Sequence, residues 1–262
     1  MLSRLSRPKA LAVCALPAVA LLATALLAPL PFAVAQPGTT ADVLGRNKGE
    51  PVITIKGAPS RKAEGRLLMT TIVATGPDAQ VDFGDVLDNW FRTDRAVMPR
   101  DSVYPSGDTT EEIEQHNLDD MTESQDSATA AALSYLGRAD EDLDVRLKLA
   151  DVGGPSAGLL FALGIVDKLD GDGAGGGLTG GRTIAGTGTI DADGRVGAVG
   201  GVELKTQAAK RDGASVFLVP EDECSQAKAE LPEGLRLIPV TDLKGTVTSL
   251  RALEQGRKVP SC

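Results

Sequence analysis

The pentapeptide Gly154–Gly158 (GPSAG) holds the residue with the clearest chemical potential, because it matches the pattern G-x-S-x-G. That pattern is typical of a serine on a tight turn that opens a helix, with its hydroxyl presented as a nucleophile. Flanking glycines would let a substrate backbone approach, and free N–H groups of the first helical turn could stabilise an oxyanion. The alternative is a serine that caps a helix beside glycines needed only for packing.

A serine nucleophile needs a base, and no histidine follows Ser156 in the chain. The order Ser, acid, His of the α/β-hydrolases is therefore excluded. The one histidine of the sequence, His116, lies upstream in an acidic, turn-rich stretch where we expect a surface residue. A lysine can replace histidine when burial keeps its amine neutral, so the expected partner is a lysine in an apolar setting.

Lys205 meets this requirement on the helix predicted over residues 202–212. On a helical wheel it falls in the apolar arc, between Ala208 and Ala209, which is out of pattern for an amphipathic helix. The alternative is a lysine that extends its amine to solvent. Together with the serine motif, the pattern favours a catalytic pair of Ser156 and Lys205.

At these residues the chain resembles the proteolytic domain of the Lon-type serine–lysine proteases. GPSAG is similar to the nucleophile motif of that family, and residues 186–205 (GTGTIDADGRVGAVGGVELK) are similar to the stretch that ends at its catalytic lysine. The resemblance, which covers about residues 117–253, implies Ser156 as nucleophile, Lys205 as base and Thr187 as the residue that orients the amine. It also implies an α/β (α+β) fold with a mixed sheet and packed helices.

The resemblance is closest to exported, membrane-anchored Lon-like proteases, which commonly carry a PDZ domain. Only Arg138–Asp142 separates a predicted helix from the next strand, so no PDZ module fits there, and the sequence has no G-x-x-x-x-G-K-[ST] motif. Gly153 and Thr189 stand where many Lon enzymes have acidic residues. We expect an ATP-independent serine endopeptidase that acts on extracytoplasmic proteins or peptides. The alternative is a catalytically silent Lon-like module that binds peptides at the membrane surface.

Composition excludes several other classes of function. The net charge of −9 and an aromatic content of 3% argue against binding to nucleic acid. One histidine and three cysteines argue against zinc sites, and we expect no metal and no cofactor. Residues 225–228 fit the S-x-x-K motif of penicillin-binding enzymes, but the chain lacks the companion motifs of those enzymes.

The resemblance to the Lon-type proteases also bears on assembly. Proteolytic domains of that family often form rings, so a homo-oligomer is a possible assembly.

Residues 1–35 are predicted to be a signal peptide or signal anchor. Basic residues at positions 4, 7 and 9 precede an apolar run, and Ala33–Ala35 (AVA) fits a cleavage site. Either interpretation places residues 36–262 outside the cytoplasm, either secreted or tethered to the membrane by the uncleaved segment. In that oxidising compartment Cys224 and Cys262 are predicted to pair, the alternative being two free thiols.

The elements that must position the site follow from hydrophobic periodicity and turn residues. Residues 36–50 are predicted to be a linker, residues 51–116 an N-terminal extension, and residues 117–262 the Lon-like domain. In its second half the chain alternates strands and helices, which predicts an α/β domain with a mixed sheet. The predicted strands are 52–55, 67–74, 143–149, 183–190, 195–199, 215–219 and 235–240, and the predicted helices are 81–91, 121–136, 156–169, 202–212, 225–230 and 243–253.

Overall fold

The structure, a computed structural model, describes residues 7–104, 109–149 and 152–262, with side chains from residue 11 onward. The helices are α1 (Arg7–Leu27), α2 (Phe83–Trp90), α3 (Arg100–Val103), α4 (Thr110–Tyr135), α5 (Gly158–Leu169), α6 (Val202–Arg211), α7 (Cys224–Ala229) and α8 (Leu243–Glu254). The strands are β1 (Phe32–Asp42), β2 (Arg46–Asn47), β3 (Glu50–Pro51), β4 (Ile53–Lys56), β5 (Arg66–Ala74), β6 (Ala96–Pro99), β7 (Asp144–Leu147), β8 (Thr183–Gly186), β9 (Thr189–Ile190), β10 (Val196–Gly197), β11 (Val216–Pro220) and β12 (Arg236–Val240).

A six-stranded mixed sheet forms the centre of the molecule, with the strand order β12-β11-β8-β5-β1-β6. The pairs β12/β11, β11/β8 and β8/β5 are parallel, whereas β1 is antiparallel to both of its neighbours. Three two-stranded antiparallel pairs accompany it: β9/β10, β2/β3 and β4/β7. The predicted α/β fold with a mixed sheet and packed helices is confirmed.

Alternation along the central strands gives the sheet two apolar faces. In β5, Leu67 and Met69 join the core formed with α4, α5 and α8, whereas Leu68 joins the core formed with α6 and α7. Helix α5 is apolar on nearly all sides and is buried from Gly158 to Asp167, as its composition predicts. The sheet is therefore covered on both faces, with α5 on one side and α6 on the other.

Residues 36–42, assigned above to the linker, continue β1. Ala35 pairs with Ala74 of β5 and with Ala96 of β6, and Ala33 and Ala35 are buried. Cleavage after Ala35 would therefore remove the part of β1 that pairs with β6. The proline and glycine at positions 37 and 38 lie where the register of the β1/β5 ladder shifts, so the turn-forming residues mark an irregularity within a strand.

Helix α4 begins well before the predicted residue 121. Its first turns come from the stretch expected to be turn-rich, and a capping box joins Thr109 to Glu112 at its start. The predicted strand 183–190 is interrupted, because β8 ends at Gly186 and β9 begins at Thr189. The residues at this interruption belong to the candidate site.

Helix α1 carries the apolar N-terminal run, and its described side chains are exposed, among them Leu11, Leu16 and Leu22. None of the helices in the described ranges has the length and apolar character that a bilayer span requires. Arg4 of the predicted basic cluster lies outside the described residues.

Candidate active site

Ser156 lies in one turn of 3-10 helix, Pro155–Ala157, that leads directly into α5. Gly154 starts this turn at φ 84°, in the left-handed region that glycine tolerates best. Within the described residues no side chain caps the turn or α5, and Ser156 is partly exposed. Ser156 is therefore not the helix-capping serine of the alternative interpretation, and it lies where a substrate can reach it.

Helix α4 holds the serine turn from two points. The Gly154 N–H donates a hydrogen bond to the Asn117 carbonyl at 2.8 Å, and Ser124 Oγ donates to the Pro155 carbonyl at 3.0 Å. Ser124 is buried on the face of α4 that packs against α5. These contacts fix the backbone on the N-terminal side of Ser156.

Gly158 of the motif and Gly153, which directly precedes the motif, allow the backbone to pack closely around the serine turn. A Cβ atom at Gly158 would lie 2.9 Å from Ser124 Oγ and 3.1 Å from the Ile190 nitrogen. A Cβ atom at Gly153 would lie 2.7 Å from Asn117 Cβ. Any side chain at these positions would push the serine turn away from α4 and β9.

Thr187 connects the serine turn to the central sheet. It follows β8, is fully buried, and its N–H donates to the Leu218 carbonyl of β11 at 3.1 Å. Its Oγ1 donates to the backbone carbonyl of Ser156 at 3.3 Å, and the Gly188 N–H donates to the same carbonyl at 3.0 Å. The interruption between β8 and β9 therefore supplies two hydrogen bonds to the residue of the candidate nucleophile.

Lys205 contacts the same threonine from α6, on the face of the sheet opposite to the serine turn and α5. Its side chain is buried, with an exposed fraction of 3%, and Nζ donates a hydrogen bond to Thr187 Oγ1 at 3.2 Å. The amine therefore does not extend to solvent, as the alternative interpretation required. Thr187 Oγ1 thus contacts both the Lys205 amine and the Ser156 carbonyl, which places the three sequence-predicted residues in one cluster.

Burial lowers the pKa of the Lys205 amine from its usual 10.5 to about 8. The cause is desolvation, which disfavours the charged form, and the carboxylates of Glu223 and Glu203 act in the opposite direction. A lysine with this pKa is neutral in a substantial fraction of molecules near neutral to mildly alkaline pH. It can therefore accept a proton, which an ordinary lysine cannot do at pH 8.

His116, the one histidine of the chain, lies on α4 and is exposed, as expected for a surface residue. It pairs with Asp120 at 3.5 Å, one helical turn away. The hydrogen bonds found in the described ranges do not connect it with Ser156.

A cleft of about 310 Å³ adjoins the serine turn. Pro155 forms part of its wall, together with residues of α4 and β9 that include Ser124 and Ile190. The serine turn therefore borders a cavity large enough to receive an amino-acid side chain.

Sequence reasoning missed Ser124, Asn117 and Glu223 as contributors to the site. Ser124 had a detectable signal, because it occupies a helical position in register with the buried residues Met121 and Ala128. Glu223 had none, since it belongs to an acidic run that is typical of a solvated surface. Its burial and its contacts become visible only in three dimensions.

Comparison with protein families gives a match over this same region. The family model described as the Lon protease (S16) C-terminal proteolytic domain matches residues 119–250, which is half of the chain. The match includes the serine turn, the β8–β9 interruption and α6.

Curated relatives with similar sequences are Lon proteases. The Lon protease of Clostridioides difficile (strain 630) is 41% identical over 83 residues, which cover 32% of this chain and 10% of that protein. Lon protease 2 of Bacillus subtilis (strain 168) is 32% identical over 114 residues, which cover 41% of this chain and 19% of that protein. The mitochondrial Lon protease homolog of Scheffersomyces stipitis is 33% identical over 140 residues, which cover 47% of this chain and 12% of that protein. The chain spans at most about a fifth of the length of these relatives.

Proposed function

Because the chain belongs to the Lon protease (S16) family through its C-terminal proteolytic domain, we propose that it is a serine endopeptidase that uses a dyad of Ser156 and Lys205. The observation that carries this proposal is the buried Lys205 amine, hydrogen-bonded to a threonine that also contacts the Ser156 backbone. No other base is needed for the chemistry.

The hydrogen-bond directions leave the lysine free to act as a base. The Thr187 hydroxyl donates its hydrogen bond to the Ser156 carbonyl, so Thr187 Oγ1 can only accept a hydrogen bond from Lys205. The amine must donate one N–H to Thr187, and in its neutral form it keeps a lone pair for another proton. Thr187 therefore orients the Lys205 amine in this mechanism.

The reaction follows from these roles. Neutral Lys205 takes the proton of Ser156 Oγ as the oxygen attacks the scissile carbonyl, and backbone N–H groups near Ser156 stabilise the oxyanion. The protonated amine then gives its proton to the leaving nitrogen. A water molecule, deprotonated by the same amine, releases the acyl group and regenerates Ser156.

Cleavage of casein, or self-cleavage, tests this function on the full chain. We expect the wild type to cleave without ATP, and we expect Ser156→Ala and Lys205→Ala to lose the activity. A wild type no more active than either variant would contradict the proposal and favour a peptide-binding module. Cleavage only in the presence of ATP would contradict ATP independence alone.

We also propose that the protein acts outside the cytoplasm on extracytoplasmic proteins or peptides. The basic and then apolar N-terminal sequence supports export, and the disulfide between Cys224 and Cys262 is of a kind that persists in oxidising compartments. Cell fractionation with intact-mass analysis would show whether the N-terminal segment is retained as an anchor. Light scattering on the purified protein would test the proposed homo-oligomer.

A further inference from the structure

Glu223 is a buried carboxylate that the proposed mechanism does not yet use. It ends the short turn Glu221–Glu223 after β11, and its exposed fraction is only 5%. The neighbouring acids Glu221 and Asp222 are exposed. Charged carboxylates are rarely buried unless their oxygens are paired, so this residue needs an explanation.

The two oxygens of Glu223 bind the backbone directly before α6. Oε2 accepts a hydrogen bond from the Val199 N–H at 3.1 Å, and Oε1 accepts one from the Gly200 N–H at 2.7 Å. Hydrogen bonds to an ionised carboxylate are stronger than those between neutral groups. The carboxylate therefore clamps two consecutive amides of the segment that starts the helix of Lys205.

The clamped segment is one turn from Lys205. Gly200 and Gly201 both have positive φ angles, and the Gly201 carbonyl accepts the backbone N–H of Lys205 at 3.0 Å. A Cβ atom at Gly201 would lie 3.1 Å from Ile72, so this start of α6 is also packed closely against β5. A shift of the clamped amides would move the first turn of α6 and, with it, the amine at Thr187.

The charge of Glu223 also acts on the amine. The charged groups with an electrostatic effect on Lys205 in the described chain are Glu203, on α6 itself, and Glu223, from the turn packed against α6. Both favour the protonated amine, in opposition to burial. Glu223 is therefore connected to Lys205 in two ways, through the backbone and through its charge.

We propose that Glu223 is a positioning residue for Lys205, which holds the start of α6 through the Val199 and Gly200 amides and adds a carboxylate charge to the surroundings of the amine. This inference rests on the proposed serine–lysine mechanism for its effect on catalysis. The charge effect on Lys205 can be measured whether or not the protein cleaves peptides.

The test is a pH titration of Lys205 in the full chain. NMR of ¹³C-labelled lysine monitors the titration, and the Lys205 signal is assigned by its absence in Lys205→Arg. Glu223→Gln keeps the size of the side chain and removes its charge, so we expect the midpoint of Lys205 to fall by roughly half a pH unit or more. Glu221→Gln, an exposed position in the same turn, is the matched control and should leave the midpoint unchanged. An unchanged midpoint in Glu223→Gln would overturn the proposal, even if that variant were less stable.

A second variant, Glu223→Asp, tests the clamp and is useful if Glu223→Gln does not fold. It keeps the charge but shortens the reach to the amides, so we expect the alkaline plateau of kcat/KM to fall about tenfold or more. A plateau equal to that of the wild type would overturn the positioning role. Failure of the proposed function itself would be distinct, because the wild type would then show no cleavage beyond Ser156→Ala.

Discussion

The amine of Lys205 is the group on which the proposed chemistry of this protein depends most. Its pKa of about 8 comes from desolvation, since both nearby carboxylates oppose the shift. The fold therefore keeps a costly group inside its core. If Lys205 served only packing, its substitution by an apolar residue would leave activity unchanged. Substitutions at this position therefore test whether the amine takes part in catalysis.

The pH dependence of activity is the first prediction at this scale. Since only the neutral amine can take the proton of Ser156, kcat/KM should rise about tenfold per pH unit below a midpoint near 8 and level off above it. Steady-state cleavage of a peptide between pH 5 and 10 measures this profile. His116→Gln should leave it unchanged. A pH dependence that disappears in His116→Gln would assign the base to histidine instead.

The burial of Lys205 should also affect stability in a pH-dependent way. Lowering the pKa from 10.5 to about 8 corresponds to about 3 kcal/mol. Between these pH values the unfolded chain binds more protons than the folded one, so the stability of the wild type rises with pH across this window. The cost of burying the charge is therefore fully present below pH 8 and disappears near pH 10.5.

Lys205→Met, which has a similar shape and no charge, should therefore be more stable than the wild type at pH 7, by up to about 3 kcal/mol, with the difference shrinking towards pH 10. Urea unfolding at both pH values measures this difference. Lys210→Met, at an exposed position of the same helix, is the control and should change stability by less than about 0.5 kcal/mol. A destabilised Lys205→Met at pH 7 would contradict the account of the buried amine.

At the scale of elements, the site lies where a central strand stops. β8 ends at Gly186, and the next two residues, Thr187 and Gly188, contact the serine turn. Gly186 itself fits between strands, since a Cβ atom there would lie 2.8 Å from Leu218 Cβ and 3.0 Å from the Leu218 carbonyl oxygen. The position of Thr187 therefore depends on close contact between β8 and β11.

Gly186→Ala should reduce both stability and activity. The added methyl group has to displace the backbone of β11, which typically costs about 1–3 kcal/mol, and the displacement reaches Thr187 directly. The free energy of unfolding, measured in urea, and kcat/KM should both fall. Gly76→Ala is the control, because its φ is not positive and a Cβ atom there meets nothing within 4 Å. If Gly186→Ala were as stable and active as Gly76→Ala, the proposed coupling of β8 to the site would be wrong.

The elements also show how far the sequence predicts the fold. The second half, where strands and helices alternate, is predicted nearly element by element, because hydrophobic period and turn residues agree there. β1 escapes prediction because Ala33–Ala35 continues an apolar run and the residues after it contain proline and glycine. The early start of α4 has a local signal, the capping box at Thr109, but its exposed first turns carry no apolar period.

The candidate site divides in the same way. Ser156, Lys205 and Thr187 can be predicted because their residue types break a local pattern or fit a family motif. Glu223 cannot, since its partners Val199 and Gly200 lie far along the chain and the contact depends on how a turn packs against a helix start.

At the scale of the whole molecule, the disulfide ties the C-terminus to the face of the sheet that carries α6. The structure joins Cys224 to Cys262, as predicted, across a separation of 38 residues. The loop it closes contains β12 and α8. Cys224 directly follows Glu223, so the disulfide lies next to the clamp on α6.

Removing the disulfide should destabilise the domain. In the chain-entropy model, closing a loop of 38 residues stabilises by about 4 kcal/mol. The double variant Cys224→Ser, Cys262→Ser should therefore have a lower free energy of unfolding, and reductant should reduce the stability of the wild type by a similar amount. Cys14→Ser, a free and exposed cysteine of α1, is the control and should behave as the wild type. An insensitive wild type would contradict a structural role for the bond.

The most direct test of the central claim is intact-mass analysis of the full chain after treatment with a fluorophosphonate, which labels serines activated by a neighbouring base. The account predicts one phosphonyl adduct, mapped to Ser156, that forms faster as the pH rises through 8, is absent in Ser156→Ala and is nearly absent in Lys205→Ala. An adduct on another serine, or one that forms equally fast in Lys205→Ala, would contradict the claim that Lys205 activates Ser156.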